Sequence, residues 1–450
     1  MKVALFGTFD TPNFGDCLFP LVVRQQIERR VNGAEVMPFS PTSRVPATAA
    51  YPRVYAFDEL CEMPPAGPAA FMIGGGALLS TEHILFSYPQ VRLACPYSLK
   101  CWLLPAMAAR ALNAPLILNG IGLGPFDPAF GPLASKYLAP AEVRGVRDGL
   151  THNFLQRLGV SAQIVPDCGI LTPDLHSSAE WSARFAELKQ RFSLPEKYVA
   201  VQASVFLNAQ LEPFAAAAAD AARQAGLPAV LIPICHHLND RVACRIMGHV
   251  FAQKNVEAKA VDAALTSLDT AALLSHAELF TGTSLHGTLV TMAFSKPAVS
   301  FTLPGMKKNP SVLEAVGVGG EPVVTDAALL PNAARAAFQR PAPNLQPARE
   351  KLDTFFDRVR GVICSTQTAD RKEPAPRLTI ERGLLKCEPQ TCGPFDEDLR
   401  EVKRLCRAYG KQVPLLRRLA AVAVRNNRIV SEWYDHARYR RDVRKQSGQK

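Results

Sequence analysis

Largely apolar runs of three to six residues recur along the chain, and stretches with helical spacing separate most of them. The runs predict strands over residues 2–7, 69–73, 115–119, 143–146 and 164–166, and again over 198–203, 229–233, 278–281 and 298–302. Helices are predicted from Asp16, with Leu18, Leu21, Val22 and Ile27 on its apolar face and Asp16 as N-cap, and over 149–158, 214–225, 241–253 and 285–293. Unbroken apolar strands that alternate with helices indicate parallel sheets covered on both faces. The rhythm breaks once, between Thr172 and Pro195, where Pro173, Asp174 and a short helical piece read as a connection. The expected fold is therefore α/β: two doubly wound Rossmann-like domains facing across a cleft, with a C-terminal extension. Residues 1–172 and 197–340 are the domains, 173–196 the linker and 341–450 a basic, partly helical extension.

Glycines close several strands: Gly74, Gly75 and Gly76 after one, and GIGLGP, with Gly122, after the next. Glycine permits positive φ and close backbone approach, so such strand ends suit a floor against which a ligand lies. In open α/β sheets that crevice is where ligands bind, and helix N-termini there favour anions. Ser284 and His286 stand at a strand-to-helix junction of this kind, as do Asn13 and Asp16 near the N-terminus. Arg147 and Asp148 follow the strand at 143–146, and the Arg147 guanidinium fork matches carboxylate or phosphate. Lys307 and Lys308 lie on the loop after 298–302, within reach of an anion. His236, His237 and Asp240 form a further polar cluster at a strand end, suited to hydroxyl contacts or, with a further ligand, to a metal.

Composition narrows the class. With 450 residues, 48% of them hydrophobic, the chain can build two cores, since one core rarely exceeds about 250–300 residues. No apolar run approaches the ~20 residues of a spanning helix, and the first residues show no cleavable leader pattern, so a cytosolic chain is expected. Eleven cysteines without a C-x-x-C pair read as buried thiols, and Cys387, Cys392 and Cys406 have no histidine near enough to complete a zinc site, so no metal is expected. The net charge of +11 is concentrated at the C-terminus: residues 371–450 hold 20 Lys or Arg against 10 Asp or Glu. Residues 413–430 place Leu415, Leu416, Leu419, Val422 and Val424 among Arg417, Arg418, Arg425 and Arg428, a pattern for a basic helix that lies on an anionic membrane surface or packs on the core. Nucleic acid is disfavoured, because the tail has few aromatics to stack on bases.

NFGD at 13–16, GGG at 74–76, GIGLGP at 120–125, VRGVRD at 143–148, VPD at 165–167 and TSLHG at 283–287 occur in the order found in the polysaccharide pyruvyl transferase family, which the chain resembles over about residues 1–330. The resemblance implies a glycosyltransferase-B-like fold and transfer of pyruvate from phosphoenolpyruvate to sugar hydroxyls, often as a ketal. The acceptor is a saccharide precursor of a cell-surface or exported glycan, free or lipid-linked. It further implies no cofactor beyond the donor substrate and a cytoplasmic site of action; contact with the inner membrane face through the basic tail is an expectation from the charge pattern at 413–430 alone, beside the alternative of a packed helix. Two positions depart from the pattern: Ser284 stands where many members carry arginine, and Ile121 where glutamine is common. Ketal formation needs an acid near neutral pKa, a role that suits His286, and cationic groups for carboxylate and phosphate. His286, Arg147 and Asp148 are the catalytic candidates. Asn13, Asp16, Gly74–Gly76, Gly122, Ser284, Lys307 and Lys308 are the candidates for binding substrate. A nucleotide-sugar glycosyltransferase and a non-catalytic glycan-binding relative suit the same cleft and stay open at this point.

Overall fold

The computed structural model describes residues 1–63, 67–81, 97–320, 322–368, 377–381, 384–388, 397–398 and 400–405. The expected basic helix at 413–430 lies outside the described residues, as do Cys392 and Cys406. Strands β1 (Lys2–Phe6), β2 (Glu35–Ser40), β3 (Tyr55–Ala56), β4 (Ala70–Gly74), β5 (Leu116–Ile121), β6 (Val143–Val146) and β7 (Gln163–Ile164) form one sheet in the order β3-β2-β1-β4-β5-β6-β7. Strands β8 (Val199–Gln202), β9 (Ala229–Leu231), β10 (Ala258–Ala260), β11 (Leu279–Gly282), β12 (Ala298–Phe301) and β13 (Val323–Val324) form a second, in the order β10-β9-β8-β11-β12-β13. Neighbours in both sheets are parallel.

Strand pleating explains the unbroken apolar runs. In β1, Val3 and Leu5 face one core while Ala4 and Phe6 face the other. In β8, Ala200 enters the core shared with the first domain, and Val199 and Val201 enter that of the second. Both faces of the central strands, such as β4, β8, β11 and β12, are buried, which selects largely apolar residues along them.

The core shared by Val3, Leu5, Tyr198, Ala200 and Phe280 runs through the seam between the domains. The 173–196 stretch contributes to it. A 3-10 segment, Cys168–Leu175, leads to a full helix, Ser178–Phe192, closed at its start by a Ser177–Glu180 capping box. Trp181, Phe185 and Leu188 of that helix are buried in the same cluster, and each such side chain contributes about 1.5–3 kcal/mol. A large apolar interface of this kind holds two domains in a fixed relation.

The 23-residue helix Gln346–Thr368, in the stretch expected as basic extension, returns to the first domain. Leu352, Phe355, Phe356 and Val359 are buried there, Arg30 bonds Asp353 and Asp357 at 2.6 and 2.9 Å, and Arg349 bonds Asp174 at 2.6 Å. The extension therefore begins as core, with its apolar face covered. Past it, an antiparallel hairpin, β14 (Arg377–Glu381) and β15 (Leu384–Glu388), precedes residues whose Val402 and Leu405 are buried with Leu378 in the first domain. Among the described residues no helix is long and apolar enough to cross a membrane.

Each sheet reverses its strand order once, between β1 and β4 and between β8 and β11. Crossovers on either side of such a point lie on opposite faces, which leaves a crevice at the carboxyl ends of the two strands. The loops after β1, β4 and β11, all from these reversals, meet at the seam.

Candidate active site

The stretch after β1 builds the first wall. Asn13 takes extended backbone (φ −126°, ψ 128°) and caps the helix Phe14–Glu28, its side chain accepting from the Gly15 N–H at 3.2 Å. Asp16, expected as that cap, lies instead in the first turn, because the helix starts two residues earlier. A Cβ on Gly76 would lie 3.2 Å from Asp16 Oδ1, so the GGG turn after β4 brings its backbone against this carboxylate. Gly75 lies under Phe19, and Gly74 against the Asn119 carbonyl of β5. Burial raises the Asp16 pKa, and the charges of His286 and Lys308, a Thr8 hydroxyl and the charge of Arg147 oppose it.

Arg147 follows β6 and is 1% exposed. Its Nη1 donates to Asp167 Oδ2 at 3.4 Å, and its Nε lies 3.8 Å from Asp148 Oδ2. Among the described residues its Nε and Nη2 have no hydrogen-bond partner. Gly122 makes room for the group, since a Cβ there would stand 2.4 Å from Nε. Burying an ion costs several kcal/mol unless its hydrogen bonds are made. A core selected for stability alone would not leave this fork half satisfied, and an anion placed against it would complete it. Asp148 has a separate task. Its Oδ1 accepts from Thr151 N at 2.7 Å and Thr151 Oγ1 at 2.8 Å, which caps the helix Gly149–Arg157.

His286 crosses the seam. It sits in the first turn of the helix Leu285–Ala293, 9% exposed, with Nε2 3.4 Å from Asp167 Oδ2. Its ring meets Phe19 edge-on at 5.2 Å between centroids, and Gly15 leaves space for it, since a Cβ there would fall 1.9 Å from Nδ1. Burial, the largest influence on Asp167, raises its pKa. The charge and contact of His286, the Arg147 charge and the Gly169 N–H outweigh burial and hold the carboxyl well below the usual range. Ser284 caps its helix, accepting from Gly287 N at 3.0 Å, so its hydroxyl already has a structural partner.

Lys307 occupies the N-cap position of the helix Lys308–Ala315, and its side chain is exposed. Lys308 is also exposed as a residue, yet its ammonium lies in the field of the cleft. Desolvation, then Arg147, draws its pKa down to about 8 against the pull of Asp16, Cys235 and Asp167. The site thus gathers the starts of four α-helices with Arg147, His286 and Lys308, an arrangement that attracts negative charge.

His286, Arg147, Asp16, Lys308, Gly76 and Gly122 converge, whereas Lys307 stays outside and Asn13, Asp148 and Ser284 act as caps. The polar cluster after β9 is divided. Asp240 is buried and turned to Gln202, while His236 and His237 stand on a short turn in which His237 Nδ1 is 3.1 Å from Cys235 Sγ. Among the described residues no group of three metal-ligating side chains is close enough to hold an ion. In the sequence, Asp167 stands within VPD and Gly15 within NFGD with no role of their own, and neither Phe19 nor Gln202 belongs to any of the motifs. A polar residue closing an otherwise apolar β8 was the available signal for Gln202.

Two parallel-sheet domains that meet at their switch points define a glycosyltransferase-B-like protein. The chain is similar in fold to the UDP-GlcNAc 2-epimerase of Methanocaldococcus jannaschii, with 14% identity and a TM-score of 0.51 over 76% of this chain and 94% of that one. A putative UDP-N-acetylglucosamine 2-epimerase from Listeria monocytogenes gives 12% identity and a TM-score of 0.50 over 83% and 98%. No curated protein matches the chain significantly. The family model for polysaccharide pyruvyl transferase matches residues 13–303, and the chain belongs to that family. Every residue that converges at the seam except Lys308 falls within the matched segment.

Proposed function

We propose that this chain is a phosphoenolpyruvate-dependent pyruvyl transferase that acts on hydroxyls of a saccharide precursor. The observation that carries the reading is the buried Arg147 fork, with two nitrogens unpartnered, beside the His286–Asp167 pair. Phosphoenolpyruvate presents two anionic groups on a three-carbon frame, and Arg147 with Lys308 supplies cations for them. His286 protonates the methylene carbon, and Asp167, facing Nε2, stabilises the charged imidazole and fixes the ring. The resulting cationic carbon accepts one acceptor hydroxyl and expels phosphate; a second hydroxyl then closes the ketal. The methyl group gains one proton, the two hydroxyls release two, and phosphate leaves with the other. No cofactor takes part.

We place the reaction in the cytosol, where phosphoenolpyruvate is made, in the biosynthesis of a cell-surface or exported polysaccharide. A lipid-linked acceptor would bring the basic tail to an anionic leaflet. The test is to incubate the protein with phosphoenolpyruvate and a panel of free and lipid-linked saccharides and to follow phosphate. Release that requires an acceptor supports the proposal. Release of a nucleoside diphosphate from a nucleotide sugar supplied in place of phosphoenolpyruvate, or no turnover with any acceptor, overturns it.

A further inference from the structure

Gln202 closes β8 at the switch point of the second sheet, buried beside the end of β11. Its Oε1 accepts from the Thr283 and Ser284 N–H groups at 3.0 and 2.9 Å and from Thr283 Oγ1 at 3.2 Å. Those residues form the turn that delivers His286. On the other side, Gln202 Nε2 donates to Asp240 Oδ2 at 2.8 Å, and the same oxygen accepts from Cys235 N at 2.8 Å and Ile234 N at 3.2 Å.

The Ile234–His236 segment is itself a contact with the first domain. Phe14 N donates to Ile234 O at 3.1 Å and His236 N to Pro12 O at 3.0 Å, so Asn13 and Cys235 pair as an isolated antiparallel bridge. Phe14 precedes Gly15, against which the His286 ring lies. A closed circuit results. The loop before Gly15 bonds the turn after β9; that turn bonds Asp240; Asp240 bonds Gln202; and Gln202 bonds the turn that carries His286 back to Gly15.

We infer that Gln202, held by Asp240, is a positioning residue that sets the His286 turn in register with the interdomain bridge. The amide is suited to this because it accepts on one end and donates on the other, joining N–H donors to a carboxylate. A buried network with these partners made is rigid, and each group in it is costly to orphan. The inference rests on the reading of His286 as the acid.

The test uses the full chain with isotope-labelled histidine, the His286 imidazole signal assigned by comparison with His286→Ala. In Gln202→Met, of similar length and without either hydrogen bond, the His286 signal should shift. Because about 1 Å of misplacement can cost about 10²-fold in rate, kcat should fall by about that factor while the donor KM moves by less than about threefold. Asp240→Asn keeps an acceptor for Gln202 and should retain both the signal and kcat. Gln202→Glu covers the case in which Gln202→Met does not fold. It keeps the acceptor side but opposes two carboxyls, so its kcat should recover as pH falls and the pair shares a proton. A wild-type His286 signal and kcat in Gln202→Met, or a Gln202→Glu enzyme with the wild-type pH profile, overturns the inference. If the wild-type chain releases no phosphate, the donor reading fails, and the His286 signal still decides the positioning role.

Discussion

Gly15 of the first domain and His286 of the second touch at the floor of the seam, with no room for a Cβ between them. The position is early in a helix, where alanine would ordinarily stabilise by about 0.5–1 kcal/mol over glycine. Gly15→Ala is therefore expected to have the opposite sign: the methyl must displace the imidazole, lowering Tm in a thermal melt and kcat by about 10²-fold. A variant more stable than wild type, with full activity, would mean that the ring does not sit there.

His286→Ala is expected to lower kcat by about 10²–10⁴-fold, the usual contribution of one general acid, measured as phosphate release. Asp167→Asn should lower activity through the same ring and should also destabilise. The depressed pKa of Asp167 gives stability that is fully present above the usual carboxyl range and is lost as pH falls through the lowered value. The asparagine variant should accordingly be less stable than wild type at pH 7 and should show a shallower loss of stability in acid. Equal stability of the two at pH 7 would remove the charge pairing from the account.

Much of this was legible in the sequence. The parallel sheets follow from unbroken apolar strands, since burial of both faces leaves a mark at every position, and residues 143–146 and 285–293 fall on the observed elements. β3, β10 and β13, of two or three residues each, escaped because so short a run has no period to detect, and the six-residue β2 escaped as well, its apolar run interrupted by Pro38. The helix Ser178–Phe192 shows in the sequence only as a short helical piece, because Pro173 and the polar residues around it break the rhythm, although its Ser177–Glu180 box is a local signal of its start. Among site residues, Asp16, Arg147, His286 and Lys308 were visible, and Asp167 only as part of the VPD motif. Gly15 and Gln202 were not, because their importance lies in what another domain places against them.

Arg147→Lys keeps the charge and loses the fork. If the unpartnered Nε and Nη2 receive the donor, the substitution should weaken phosphoenolpyruvate binding at least about tenfold in a calorimetric titration. Lys308→Ala should raise donor KM more than it lowers kcat, and Lys307→Ala, outside the cluster, should change neither. An unchanged titration in Arg147→Lys would exclude that side chain from donor binding.

Burial pushes the Asp240 carboxyl up to about 7 against the hydrogen bonds from Gln202 and the Cys235 and Ile234 amides, and its Oδ1 has no partner among the described residues. A carboxyl raised from 3.8 on folding contributes stability that is fully present below that value and is lost as pH rises through the folded pKa. Asp240→Asn removes this dependence. The gain in stability over wild type should be larger at pH 8 than at pH 5, by on the order of 2 kcal/mol at 1.36 kcal/mol per unit, in denaturant melts. A pH-independent difference would mean that the carboxyl is ionised throughout.

The tail divides into a packed part and a charged part. Leu378, Val402 and Leu405 are buried in the first domain, Asp398 bonds Lys136 at 2.6 Å, and the Tyr137 hydroxyl donates to the same carboxylate. Residues 406–450 then hold 12 Lys or Arg against 3 Asp or Glu, nearly the whole basic excess of the chain. Truncation after Asp370 should lower Tm and solubility, because it uncovers apolar side chains that each contribute about 1.5–3 kcal/mol when buried. Truncation after Leu405 tests the remaining residues: an unchanged Tm separates charge from folding, and a lowered Tm means that the 413–430 stretch packs on the core. If the proposed membrane contact is made by this tail, that shorter truncation should lose sedimentation with anionic vesicles, since each basic residue near such a surface contributes about 1 kcal/mol. It should also lose activity on a lipid-linked acceptor while keeping it on a free saccharide. Full vesicle binding by the chain truncated after Leu405 would place the membrane contact elsewhere on the protein.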